Sequence, residues 1–236
     1  YGNATAEKFE VTREDQDAWA LRSQQLAAKA IEEGKFAEEI VPVEVPQRKG
    51  DPIVFNADES PRASTTTETL SKLRSAFGKG GTITAANAPG INDGAAALVL
   101  MNEEKAKAAG KHVLATIIGH AEVGVEPARF PETPGLVVNE ILKKTGKTID
   151  DIALIEMNEA FAAVSLASAK IAELPEEKIN VNGGAIALGH PIGASGTRII
   201  LTLAYELKRR GGGIGIAAIC SGGGQGDAIM IEVKGE

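Results

Sequence analysis

Cysteine is almost missing from these 236 residues: Cys220 is the only one, so no internal disulfide can form. Three histidines and no Cys/His cluster at zinc-ligand spacing exclude a structural zinc of the usual kind. No apolar run approaches the roughly 20 residues that cross a bilayer, and no cationic, apolar leader opens the chain. Positive charge is also short, with 25 Lys and Arg against 32 Asp and Glu. A net charge of −7 disfavours nonspecific binding to nucleic acid or to an anionic membrane. The default compartment is then cytoplasmic. An initiator methionine is lacking too, and the start at Tyr1 reads as a processed or incomplete polypeptide. What is present suffices for a packed core: 43% of positions are hydrophobic and 24% charged.

Punctuation by glycine and proline divides the chain. Thr12 followed by Asp15 reads as a helix start, with Trp19, Ser23, Leu26 and Ala30 recurring on one face until Gly34. From about Ile40 to Thr67 a polar stretch with Pro42, Pro46, Pro52 and Pro61 predicts strands and an extended surface excursion. A short helix is expected over Thr69 to Ala76. Thr133-Pro134 supplies a cap and a first-turn proline for a helix that Gly146 can stop. Strands follow at Ile152 to Met157, around Lys178 to Val181, at Gly215 to Ile219 and at Ala228 to Val233, with helices at Phe161 to Glu173 and Ser195 to Arg210. That alternation predicts an α/β layered core. Thr82 to Ala86 and Ala95 to Met101, joined by Asn87 to Gly94, read as a strand, glycine turn, strand echo of the chain's end.

Three motifs carry chemistry. Cys220 follows an apolar strand and precedes Gly222, Gly223, Gly224 and Gly226, which places a thiol at a strand's carboxyl end beside unencumbered backbone N–H groups. It reads either as nucleophile or acid/base with an oxyanion site, or as a buried small hydrophobe. His190 lies in Asn182-Gly183-Gly184-Ala185-Ile186-Ala187-Leu188-Gly189-His190-Pro191, and thirteen of the 27 glycines fall between Gly183 and Gly226. Such density signals close approach of something to the backbone. The run enters a helix whose N-terminus favours an anion or enolate. Asn158, at the end of a strand, reads as a turn or cap residue or as a holder of water or imidazole; Glu159 reads as a first-turn acid or an ordering partner. His112 and His120 have no comparable setting and are assigned structural roles. Gly213-Ile214-Gly215 imitates a dinucleotide fingerprint but runs from a helix into a strand, the reverse of what phosphate binding needs, and there is no P-loop. Arg62, Lys72, Arg74 and Lys79 form a loose basic group that reads as a solvated face or as a phosphate contact.

Taken in order, Asn158-Glu159-Ala160-Phe161, Gly183 to Gly196 and Cys220 to Gly226 resemble the three C-terminal signatures of thiolases, specifically acetyl-CoA acetyltransferases of the biosynthetic type. The resemblance extends through the opening helix, the Lys72 to Phe77 segment and the Asn87 to Gly94 turn. It implies the thiolase fold, α/β and layered α-β-α-β-α. Residues 1–90 would belong to the loop domain, 91–111 would close the first core half, and 112–236 would form the second. It also implies reversible condensation of two acetyl-CoA to acetoacetyl-CoA and CoA, with CoA thioesters as substrates and no cofactor or metal. His190 would activate the nucleophile and, with a water held by Asn158, polarise the thioester oxygen. Cys220 would remove a proton from the second acetyl-CoA, and the Gly222 amide would help form the other oxyanion hole. Arg62, Thr69, Leu73, Phe77 and Ala85 match positions that contact CoA, while Phe130 and Phe161 would line the acyl end. The family's acyl-accepting cysteine belongs to a segment preceding this sequence, so that segment or chain is an expected partner, as is a second copy in a homodimer or homotetramer. Pro89 stands where many members have serine, which puts one polar contact with CoA in question. A 3-ketoacyl-CoA thiolase of fatty-acid degradation and a noncatalytic CoA-binding subunit are the alternatives.

Overall fold

A computed structural model describes residues 1–235. The chain runs α1 (Gly2–Lys8), α2 (Arg13–Glu32), β1 (Val43–Val45), β2 (Ile53–Phe55), α3 (Thr67–Ser71), α4 (Glu103–Ala108), β3 (Thr116–Gly124), α5 (Thr133–Thr145), β4 (Leu154–Met157), α6 (Ala162–Ile171), α7 (Ala185–Leu188), α8 (Ile192–Arg209), β5 (Gly213–Ser221) and β6 (Gln225–Val233). Strands β1 and β2 form a small antiparallel ribbon whose side chains are exposed, as expected of the proline-rich excursion.

The core is one four-stranded sheet ordered β3-β6-β5-β4. β4 and β5 are parallel, joined through α6, α7 and α8, while β5, β6 and β3 are antiparallel neighbours. Alternation sorts each strand between two faces. Ile155, Ile216, Ala218 and Met230 join one apolar cluster with Val137, Val138 and Ile141 of α5, Ala163 of α6 and Trp19 of α2. Leu154, Ala217 and Ile231 turn the other way, toward Ile199, Leu203 and Leu207 of α8. Each of those fully buried leucines contributes about 1.5–3 kcal/mol, so α8 is fixed against the parallel pair by one continuous apolar stripe.

Local chemistry explains the ends. Thr12 and Asp15 exchange side-chain to backbone bonds in a capping box at 3.1 and 2.9 Å, and Gly34, at φ +68°, follows the close of α2. Between β5 and β6 the chain reverses through Gly223 and Gly224, both at φ +84°. A Cβ on Gly224 would collide with the Val125 carbonyl oxygen.

Several expectations need correction. Lys178 to Val181 is not a continuous strand: Ile179 bridges Ile155 in parallel and the Asn180 N–H donates to the Ile155 carbonyl at 2.9 Å, but Asn180 adopts φ +47° and from there its side chain replaces the ladder, its Oδ1 accepting from the Met157 N–H at 2.7 Å and its Nδ2 donating to the Met157 carbonyl at 2.8 Å. Thr82 to Ala86 and Ala95 to Met101 are not a hairpin. The first is held by Asn87, whose Oδ1 accepts from the Thr84 N–H and whose Nδ2 donates to Asp17 and to the Thr82 carbonyl. The second leaves Val99 94% exposed and pairs with no strand among the described residues. The helix expected at Thr69 to Ala76 is instead α3, capped by Thr66. Thr133 is the first residue of α5 and not its cap, its hydroxyl spanning the Phe130 and Gln225 carbonyls. The helix expected from Ser195 begins at Ile192. His112 and His120 are exposed, outside the packed core. Strand β3 was hidden by Gly119, beside a register shift where Thr145 packs close.

Candidate active site

Parallel pairing brings the first two groups together. The Asn158 N–H donates to the Ala218 carbonyl at 2.9 Å, continuing the β4–β5 ladder by one residue, and Cys220 stands two residues beyond Ala218. Asn158 and Cys220 thus sit at the carboxyl ends of neighbouring parallel strands, where open α/β sheets place their ligands. His190 arrives from the connection between α7 and α8. Gly189, at φ +99°, turns the chain there, and any side chain on it would strike Asn92.

The imidazole is held from both sides. The Asn158 Nδ2 lies 3.4 Å from His190 Nε2, and the Ser195 Oγ lies 2.6 Å from Nδ1. Ser195 donates its single proton to the Pro191 carbonyl at 2.9 Å, so its oxygen accepts from Nδ1–H and leaves Nε2 with the lone pair. Burial holds His190 below the usual imidazole range, the Arg198 cation adds to this, and the N-terminus of α8 acts in the same direction. Burial also pushes the Cys220 thiol up to about 11. The pair at rest is therefore a neutral base and a neutral thiol.

His190, Cys220 and Gly222 line one cleft of about 680 Å³. Phe130 and Ala160 bound it, with Ile192, Ile200, Ile219 and Ile229 making its wall apolar. Asn158 reaches it through the imidazole, and its Oδ1 is buried without a hydrogen-bond partner among the described residues. No cluster of three or more His, Cys, Asp or Glu suited to a metal occurs among the described residues. Phe161 packs edge-on against Phe77 with centroids 6.1 Å apart. Arg62, Thr69, Leu73, Phe77 and Ala85 lie on exposed surface outside the cleft. Of these, Arg62 is tied toward the histidine loop: its N–H donates to Gln24 Oε1 at 2.6 Å, and Gln24 Nε2 donates to the Ile186 carbonyl at 3.3 Å.

Beneath the site Glu159 acts as the ordering partner. It is fully buried, and its two oxygens accept four hydrogen bonds, from Trp19 Nε1 (2.9 Å), Asn180 Nδ2 (3.1 Å), Ser23 Oγ (2.8 Å) and the Ile186 N–H (2.9 Å). One carboxyl group therefore joins α2, the end of β4 and the start of α7. Gly184 is required beside it, because a Cβ there would overlap the Glu159 carboxyl. Ser195 and the donors to Glu159 were not anticipated as site residues; the serine five positions after His190, on the first turn of a helix, was the available signal.

Comparison with known proteins gives the same frame. Residues 1–104 match the family profile "Thiolase, N-terminal domain" and residues 111–233 match "Thiolase, C-terminal domain". An acetyl-CoA acetyltransferase of Thiocystis violacea is 52% identical over 227 residues, covering 96% of this chain and 58% of that protein. One from Pseudomonas aeruginosa is 53% identical over 226 residues with the same coverage. The crystal structure of the Bacillus anthracis acetyl-CoA acetyltransferase superposes with a TM-score of 0.96 at 49% identity, over 98% of this chain and 59% of that one. Human mitochondrial 3-ketoacyl-CoA thiolase gives 0.91 at 38% identity, over 99% and 59%. The chain thus spans less than two thirds of the length of these relatives, shares their fold, and belongs to the thiolase family.

Proposed function

We propose that the chain supplies the acid/base half of an acetyl-CoA C-acetyltransferase, which condenses two acetyl-CoA reversibly to acetoacetyl-CoA and CoA. The acyl-accepting cysteine comes from outside these 236 residues. The observation that carries the reading is the convergence of His190, Cys220 and Gly222 on one cleft, with Asn158 against the imidazole.

In the first half-reaction His190 Nε2 takes the proton of the outside cysteine as its sulfur attacks the thioester carbonyl, and Cys220 gives its proton to the departing CoA thiolate. Cys220, now a thiolate whose conjugate acid is weak, removes a proton from the methyl of the second acetyl-CoA. The resulting carbanion attacks the acyl group on the outside cysteine, whose thiolate leaves and recovers its proton from His190. The buried, unpartnered Asn158 Oδ1 suits a water at the first oxyanion, and the Gly222 N–H serves the second. Arg62, Thr69, Leu73, Phe77 and Ala85 would carry the CoA arm, with Phe130 and Phe161 at the acyl end. The divisions at residues 90 and 111 belong to this reading; the gap between the two family matches at residues 104 and 111 bears on the second alone. The exposed apolar side chains of the β1–β2 ribbon, such as Val43, Ile53 and Phe55, support a homo-oligomer.

To test it, the chain is combined with the N-terminal portion of a relative and thiolytic cleavage of acetoacetyl-CoA is followed. His190→Ala and Cys220→Ala are each expected to lower turnover by about 10²–10⁴-fold. Turnover surviving the double replacement removes the mechanism. A faster reaction with a long-chain 3-ketoacyl-CoA would move the assignment to the 3-ketoacyl-CoA thiolase alternative.

A further inference from the structure

The Met157–Asn158 peptide unit is held at both ends. Its N–H donates to the Ala218 carbonyl of β5 at 2.9 Å, on the inner edge of β4, and its carbonyl accepts from Asn180 Nδ2 at 2.8 Å, on the outer edge. A rigid peptide plane tethered through both its groups resists rotation, and the Asn158 side chain leaves the main chain directly after it. Leu154 and Asn158 are four residues apart and share a face of the strand, the one that Leu154 turns toward α8. The carboxamide is therefore delivered to the side on which His190 and Ser195 lie. Beyond this point the β4–β5 ladder ends, and the Asn158 carbonyl accepts from the Ala160 N–H at 3.0 Å as the chain turns out of the sheet.

We propose that Asn180 is a positioning residue for Asn158: its amide fixes the Met157–Asn158 peptide from the outer edge of β4 and so keeps the Asn158 carboxamide against the imidazole. The proposal rests on the reading of Asn158 as the group set beside the base His190. Asn180 lies between α6 and α7, fully buried, at φ +47°, a conformation that asparagine adopts more readily than most side chains. Its own N–H reaches the Ile155 carbonyl at 2.9 Å, after which the main chain turns away and the side chain stands in for the next peptide unit. Oδ1 accepts from the Met157 N–H at 2.7 Å, and Nδ2 gives one proton to the Met157 carbonyl and the other to Glu159 Oε1 at 3.1 Å. An amide alone combines that acceptor with two donors on one short stem. Glu159 carries the same tie onward to the Ile186 N–H in α7, the helix that leads to His190, so both sides of the 3.4 Å contact between Asn158 and His190 are referenced to one hydrogen-bonded group.

The test is an NMR measurement on the full chain of the through-space contact between the Asn158 side-chain amide and the His190 ring, the two signals being assigned with Asn158→Ala and His190→Gln. Asn180→Gly suits the positive φ and removes all three side-chain bonds, and it is expected to abolish that contact. Should it not fold, Asn180→Ser carries the same expectation, its hydroxyl being too short to span both main-chain groups of Met157. Leu207→Ala also removes a buried side chain, but about 18 Å along α8 from Ser195, and is expected to leave the contact in place. With the N-terminal portion of a relative supplied, Asn180→Gly is expected to lower kcat by about 10–100-fold and to leave KM for acetoacetyl-CoA within about twofold. A contact that is absent from the parent, that survives Asn180→Gly or that is equally lost in Leu207→Ala overturns the proposal, as does a rise in KM matching the fall in kcat. Parent material without turnover but with the expected pattern of contacts would remove the function and spare the role of Asn180, whereas turnover with a contact that Asn180→Gly leaves unmoved would do the opposite.

Discussion

Glu159→Gln changes one oxygen into an amide nitrogen at a place where every neighbour is a donor. Whichever oxygen is replaced, two of the four bonds are lost: either those from Trp19 and Asn180, or those from Ser23 and the Ile186 N–H. Two buried donors then face a third. Leaving a buried donor unpaired costs about 1–3 kcal/mol, and rotation of the Asn180 amide or the Ser23 hydroxyl recovers part of that. Rotation is limited, because Asn180 is already committed to Met157 and Ser23 Oγ accepts from the Gly184 N–H at 3.0 Å. A loss of about 3 kcal/mol is expected, which lowers the melting midpoint by about 6–12 °C for a chain of this size. Trp19 is the only tryptophan, so its fluorescence reports on unfolding and on the broken indole bond together. A variant that melts within about 1 °C of the parent, with unchanged emission, would refute the claim that this carboxyl ties α2, β4 and α7 together.

Alkylation by iodoacetamide should be slow at pH 7 and quicken with each step in pH toward about 11, because Cys220 is the only thiol and burial keeps it protonated; a rate already level by pH 9 would contradict this environment. Gly224→Ala should cost about 2 kcal/mol or more in urea denaturation, given φ +84° and the Val125 carbonyl in its way. Gly222→Ala, where a methyl meets nothing within 4 Å, should stay within about 0.5 kcal/mol of the parent, and equal effects would count against the turn geometry.

Periodicity and punctuation made much of the second half legible. The apolar alternation of Gly215 to Ile219, the proline and glycine flanking α5, and the small residues of α6 all describe elements whose own side chains decide their form. Of the site, His190, Cys220 and Asn158 were found through glycine density and strand ends and Gly222 through the resemblance, and the structure brings them together. What stayed hidden depends on a distant partner. Asn180 joins the edge of β4 through its side chain as well as its N–H, Asn87 folds its segment onto Asp17 of α2, and the Ala95 to Met101 stretch pairs with no strand among the described residues. Ser195 could not be distinguished from an ordinary helix residue without knowing what α8 faces.

The Asn180 amide has one more effect. Met157 is the last residue of the outermost strand, and both its main-chain groups are occupied by a side chain, which offers no second edge for another strand to add to. Propagation of the sheet past that border, whether by a neighbouring molecule or by a misfolded copy, is thus closed off by Asn180 together with the bridge from Ile179 to Ile155, at the same spot where the chain turns toward its chemistry.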